Sequence, residues 1–181
     1  RVLFRSIGGE PLTEQQLHGY LMLLTAAGNE TTRNATTGGV LALLEHPEQR
    51  DLLCANPELV DTAVEEILRW TSPIIHFART ATEDVELRGQ TIKEGESVPL
   101  FYPSANRDED VFPDPWNFRI DRNPNPHLAF GIGEHFCLGS HVARLELQIA
   151  YKHLLPRLEE IELAGDVSRL HSSLVGGVKH L

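Results

Sequence analysis

The sequence predicts a mainly α-helical fold with small antiparallel β-sheets, and three patterns carry that reading. The first is a long amphipathic run. Thr13-Glu14-Gln15-Gln16 forms a capping box, and Leu17, Leu21, Leu24, Gly28, Thr31, Ala35 and Gly38 then recur every three or four positions. The stripe continues to about Leu44, where His46-Pro47 stops it. A helix of about 30 residues, about 45 Å long, crosses most of a domain. The second pattern is the same period in two further stretches. Glu58 to Trp70 places Leu59, Ala63, Ile67 and Trp70 on one face, and Gly139 to about Leu155 carries Val142, Leu145 and Ile149. The third is a switch to strand-like runs: Phe77 to Thr82, Val85 to Leu87, Thr91 to Lys93 and Ser97 to Tyr102, with a turn at Arg88-Gly89-Gln90.

The remaining elements follow from local signals. Pro47 to Asn56 reads as a short helix ended by Asn56-Pro57, with Cys54 a partly buried structural cysteine. Residues Ser104 to Pro126 are rich in Pro, Asn and Asp, yet Val111, Phe112, Trp116, Phe118 and Ile120 give them aromatic and aliphatic anchors. That composition predicts an ordered loop rather than a linker. Ile161 to Leu163 and Val175 to His180 suggest a last hairpin.

Composition narrows the function classes. The 181 residues are 41% hydrophobic with a formal net charge of −10, which disfavours nucleic acid and anionic membrane surfaces as partners. No apolar run approaches the roughly 20 residues that span a bilayer. Cys54 and Cys137 sit in unrelated contexts and give no disulfide framework, so a reducing, cytoplasmic location is expected. The chain opens on Arg1 rather than methionine, and the true start is expected upstream.

The chemistry concentrates in Phe130-Gly131-Ile132-Gly133-Glu134-His135-Phe136-Cys137-Leu138-Gly139. Glycines at this spacing allow a backbone with φ > 0 and close approach to a flat partner. Cys137 falls just ahead of a helix N-terminus, where unpaired N–H groups and the helix dipole favour a thiolate. Three roles suit it: a nucleophile with His135 or His141, a zinc ligand with the same two histidines, or an iron ligand. Catalytic Cys–His pairs usually come from distant positions, and the zinc set lacks a fourth ligand. Two other features are unusual. Ala27-Gly28-Asn29-Glu30-Thr31-Thr32 places a glycine, an acid and two β-branched alcohols mid-helix, against stability. Glu66 and Arg69, three apart, meet on one side of their helix.

The cysteine string resembles that of the cytochromes P450, the haem-thiolate monooxygenases, at Phe130, Gly131, Gly133, His135, Cys137 and Gly139. The mid-helix segment resembles that family's oxygen-activation motif, Glu66 and Arg69 resemble its Glu-x-x-Arg pair, and Arg122 occupies the place of the pair's second arginine. Residues 104 to 126 resemble its meander. The resemblance implies the C-terminal part of a single P450 domain over residues 1–181, the N-terminal half lying outside the sequence. It implies Cys137 as axial ligand of haem b, with Phe130, Gly131, Gly139 and Gly28 lining the cofactor, and His135 and Arg79 at its propionates. Thr31 would hydrogen-bond dioxygen, Glu30 would supply protons through water, and Glu66, Arg69 and Arg122 would form a buried structural cluster. Electrons would come from NAD(P)H through ferredoxin reductase and ferredoxin. The substrate would lie against Leu24 to Gly28 (Leu24 and Ala27 above all), against Ile74, Ile75 and Phe77, and against Leu174 and Val175; their apolar or small side chains favour a small apolar substrate. Asn29 to Asn34 together with Arg122 to His127 looks most like actinobacterial members acting on sterol side chains and methyl-branched lipids. A truncated haem-binding piece without catalysis is the alternative.

Overall fold

The computed structural model describes Ser6–Ile7 and residues 10–180. Two short strands, β1 (Ser6–Ile7) and β2 (Glu10–Pro11), pair antiparallel ahead of the long helix α1 (Glu14–Glu45). The capping box forms as expected. The Gln16 N–H donates to the Thr13 hydroxyl at 3.2 Å, and the Thr13 N–H donates to Gln16 Oε1 at 2.9 Å. At the other end, His46 closes α1 by donating its N–H to the Ala42 carbonyl, and Pro47 opens α2 (Pro47–Ala55).

The core lies where α1, α3 (Val60–Thr71) and α5 (Ser140–Leu154) cross. Val64, Ile67 and Leu68 of α3 meet Ala35, Val40 and Leu43 of α1 and Leu147 and Tyr151 of α5, all buried. Gly39 makes that crossing possible. A Cβ there would collide with the Tyr151 hydroxyl and stand 2.6 Å from Ile67 Cγ2. The Tyr151 hydroxyl donates to the Thr36 carbonyl at 2.7 Å, one turn from the gap that Gly39 leaves. Burial pushes the Tyr151 hydroxyl pKa well above the ordinary tyrosine range.

The strands β3 (His76–Thr80) and β6 (Ser97–Phe101) pair antiparallel with Ala78 opposite Pro99, and β4 (Val85–Leu87) and β5 (Gln90–Ile92) make a separate hairpin. A one-turn helix α4 (Tyr102–Ala105) follows β6. Residues 106 to 132 lack helix or strand, yet Phe112, Phe118 and Ile120 are buried and the backbone carbonyls of Asn106, Pro113, Asp114, Pro115 and Asn117 accept arginine hydrogen bonds. The segment is an ordered loop, as expected, although Val111 and Trp116 stand exposed and are not anchors.

Three further expectations need correction. The apolar positions Val142, Leu145 and Ile149 are exposed; α5 buries its Ser140, Leu147 and Tyr151 side instead, because α1 and α3 lie against that side. Every residue from Leu21 to Glu30 is also exposed, so the stripe of α1 is interior only from Asn34 onward. The last hairpin pairs β7 (Ser168–Arg169) with β8 (Val178–His180), whereas residues 161–163 form no strand; the chain winds through a 3₁₀ helix at Leu155–Glu160 before it.

Candidate functional site

The cysteine loop is built from backbone hydrogen bonds that its glycines permit. Gly131 and Gly133 take φ of 71° and 74°, in the left-handed region where a side chain is strained. Gly131 donates to the Leu128 carbonyl at 2.8 Å, Phe136 to Gly133 at 3.0 Å, and Cys137 to Phe130 at 2.9 Å. Gly133–His135 forms a single 3₁₀ turn between them. Gly139, by contrast, has an ordinary φ of −86° and serves as N-cap of α5. Cys137 is a free, half-buried thiol two residues ahead of that cap. Ile132, Phe136 and Leu138 stand exposed around it.

A charged cluster centres on Glu66 and Arg69, both fully buried, with Arg122 5% exposed. Arg69 grips Glu66 with Nε at 2.8 Å and Nη2 at 2.7 Å, and Arg122 Nε reaches the same carboxylate at 3.1 Å. Two donors that sequence reasoning missed complete the set: the Arg119 N–H at 2.9 Å and Asn125 Nδ2 at 3.0 Å. The carboxylate thus accepts five hydrogen bonds, which fills its lone pairs and offsets the cost of burying the charge. Arg69 spends its remaining donors on the Asn106, Pro115 and Asn117 carbonyls, at 2.8, 2.9 and 3.3 Å. Asn106 was also missed. Its Nδ2 donates to Ser72 at the end of α3, and its Oδ1 accepts the Leu128 N–H at 2.7 Å, so it ties α3 to the start of the cysteine loop.

The residues expected to face oxygen lie on α1. Thr31 is half-buried and donates its hydroxyl to the Ala27 carbonyl at 2.7 Å, the one-turn-back bond that such alcohols make in helices. Glu30 is exposed and pairs with Arg33 at 2.6 Å. Gly28 and Gly139 both border open space, since a Cβ at either would meet nothing within 4 Å. Arg79 lies on β3, exposed, its Nη1 donating to the adjacent Ala78 carbonyl at 3.0 Å; His135 is exposed in its 3₁₀ turn.

Two of the three apolar segments expected to contact substrate do come together. Ile74 bridges Val175, the Ile75 N–H donates to the Leu174 carbonyl at 2.9 Å, and Gly176 donates to the Pro73 carbonyl at 2.8 Å. Leu24, Ala27 and Gly28 form an exposed apolar stretch of α1, and the helix meets this strap further along, where Asn34 packs on Gly177. Phe77 and Leu174 remain about half exposed, at 45% each.

His135, Cys137 and His141 do not converge, because among the described residues no three His, Cys, Asp or Glu side chains could hold a metal ion. The zinc reading falls. A lone cysteine suits a metal that brings its other ligands with it. The apolar side chains exposed around Cys137 and the open space beside Gly139 fit a flat apolar group, and the exposed N–H donors of Arg79 and His135 suit acidic side chains on it.

Residues 50–170 match the family profile described as Cytochrome P450. The chain belongs to the cytochrome P450 family. It is 48% identical over 177 residues to the methyl-branched lipid omega-hydroxylase of Mycobacterium tuberculosis, which covers 97% of this chain and 41% of that P450. It is 46% identical over 160 residues to the steroid C26-monooxygenase of Mycolicibacterium smegmatis, covering 88% of this chain and 40% of that one. The crystal structure of CYP109E1 from Bacillus megaterium in complex with testosterone superposes with a TM-score of 0.91 at 38% identity, over 97% of this chain and 49% of that chain. The chain therefore spans less than half the length of these P450s. Among the described residues, no helix is long and apolar enough to cross a membrane.

Proposed function

We propose that this chain is the C-terminal, cysteine-bearing part of a P450 monooxygenase that hydroxylates an apolar substrate, with a sterol side chain or a methyl-branched lipid as the substrate class. The observation that carries the reading is Cys137: a free thiol just ahead of the N-cap of α5, held by its own N–H on the Phe130 carbonyl in a loop shaped by Gly131 and Gly133. Cys137 would be the axial ligand of haem b, with Phe130, Gly131, Gly139 and Gly28 against its faces and Arg79 and His135 at its carboxylates. When bound, haem with a thiolate ligand supplies dioxygen activation, the thiolate pushing electron density that favours O–O cleavage.

The protein's own part is to hold and move protons. The Thr31 hydroxyl, now spent on the Ala27 carbonyl, can turn to donate toward the open side of α1. Glu30, with its carboxylate in solvent beside Arg33, would feed protons through water toward Thr31. The strap of Ile74, Ile75, Leu174 and Val175, with Leu24, Ala27 and Phe77, offers apolar surface to a substrate of the lipid or steroid kind that the two relatives' names describe. Electrons would come from NAD(P)H through ferredoxin reductase and ferredoxin, in the cytoplasm.

The test is Cys137→Ser in the haem-loaded protein expressed from the gene that encodes this chain. The thiolate-type spectrum of the reduced carbon-monoxide complex should disappear. An unchanged spectrum overturns the ligand assignment.

A further inference from the structure

A second charged cluster lies outside the site described above. Glu65, one turn before Arg69 on α3, accepts Arg144 Nε at 2.6 Å and Nη2 at 2.9 Å, and His127 Nε2 at 3.0 Å. The other ring nitrogen of His127 accepts the Ala129 N–H at 3.2 Å, which fixes the proton on Nε2. The His127 side chain is 2% exposed, and Glu65 and Arg144 are 28% and 29% exposed. The Arg144 guanidinium also lies over the Phe130 ring, 4.6 Å from its centroid. These three residues come from three elements: α3, the loop ten residues ahead of Cys137, and the second turn of α5 after it.

Their placement has a geometric consequence. His127 anchors the start of the cysteine loop, Arg144 anchors the helix at its end, and both hold the same carboxylate of α3. Phe130, pressed by Arg144, is the residue whose carbonyl accepts the Cys137 N–H at 2.9 Å. Displacing Arg144 would remove one of the contacts that seat the Phe130 ring and so loosen the backbone bond that holds the cysteine. Resting on the proposed role of Cys137, we infer that Glu65, His127 and Arg144 form a clamp that positions the cysteine loop and so holds Cys137 as a thiolate ligand. They are positioning residues: none is within the loop itself, and the Glu66 cluster secures the fold independently through Arg69, Arg119, Arg122 and Asn125.

The experiment compares Glu65→Gln with the parent in the haem-loaded protein expressed from the encoding gene. Haem content per polypeptide is measured alongside the reduced carbon-monoxide spectrum, which separates thiolate-ligated from thiol-ligated forms. Outer-shell partners of a metal ligand commonly change affinity or activity by about tenfold or more. The expected result is a rise of about tenfold in the ratio of thiol-type to thiolate-type complex at parental haem content. Asp61→Asn, which removes an exposed acid from the same helix, should keep the parental ratio. If Glu65→Gln does not accumulate with haem, Arg144→Lys carries the same expectation, because lysine keeps the charge but cannot make the two-pronged contact. A parental ratio in whichever variant holds haem overturns the clamp while leaving Cys137 in its role. A parent protein with no thiolate-type spectrum overturns both.

Discussion

The Glu66 carboxylate and the Arg69 guanidinium meet in a two-pronged contact, at 2.7 and 2.8 Å, with neither side chain exposed. Removing one partner of such a pair strands the other in the interior, at a cost of about 3–5 kcal/mol. Glu66→Ala or Arg69→Ala should therefore lower the unfolding free energy by that amount, read from the fall in the urea midpoint, and reduce the yield of haem-loaded protein. A variant with parental midpoint and haem content would contradict the buried role.

Gly39→Ala adds a single methyl group where the Tyr151 hydroxyl and Ile67 Cγ2 already stand. Overpacking of this kind costs about 1–3 kcal/mol, so the urea midpoint should fall although alanine is the better helix former. Gly19→Ala, on the same helix and outside the site, where a Cβ would meet nothing within 4 Å, should gain a few tenths to about 1 kcal/mol instead. Equal effects at the two positions would refute the packing argument.

Burial by itself would raise the Glu65 carboxyl, but the hydrogen bonds from His127 and Arg144 prevail and hold its pKa at about 2, below its ordinary 4.5. A carboxyl depressed in the folded state stabilises that state above the unfolded pKa and loses the contribution as pH falls through the folded one. The stability gap between the parent and Glu65→Gln should thus be full above pH 4.5 and shrink as pH drops toward 2. Urea titrations at several acidic pH values would check this, and a gap independent of pH would count against it.

Thr31→Ala should leave haem content and substrate affinity at parental values while product formed per NAD(P)H consumed falls by about tenfold or more, as for the loss of a positioned proton donor. Hydrogen peroxide should rise in proportion. Parental coupling would remove Thr31 from the oxygen side of the site.

Leu21, Met22, Leu23 and Leu24 are 48%, 75%, 63% and 41% exposed. Covering each such side chain is worth about 1.5–3 kcal/mol. Residues 1–181 expressed alone with haem supplied should bind it below one per chain and melt without a sharp transition. One tightly held haem and a cooperative melt would show the cover to be dispensable.

How far the sequence could be read depended on how local each determinant is. Both ends of α1 were legible, since the Thr13 capping box and Pro47 act within one turn of the ends they set. Which part of α1 is interior was not, because periodicity identifies a stripe and says nothing of what lies against it. The same ambiguity misassigned α5. Its Val142, Leu145 and Ile149 are as apolar as Leu147 and Tyr151, and the packing of α1 and α3, with the Tyr151 hydroxyl seated on the Thr36 carbonyl, decides the side. Arg122 was placed from motif resemblance, whereas the Arg119 N–H, Asn125 and Asn106 were invisible. They act through irregular backbone that carries no period. The first arm of the last hairpin was misplaced because two residues, Ser168–Arg169, leave too short a run for alternation to register.

The charged knot around Glu66 also imposes an order on synthesis. Its donors Arg119, Arg122 and Asn125 follow it by 53, 56 and 59 residues. At translation rates of roughly 5–20 residues per second, the last of them emerges on the order of several seconds after the carboxylate it completes. Throughout that interval α3 can form as a helix, but it cannot sink into an interior without carrying a half-satisfied charge. The nascent chain is therefore obliged to keep this face in water until the loop ahead of Cys137 has left the ribosome, so the helix and the cysteine loop become committed to one structure together.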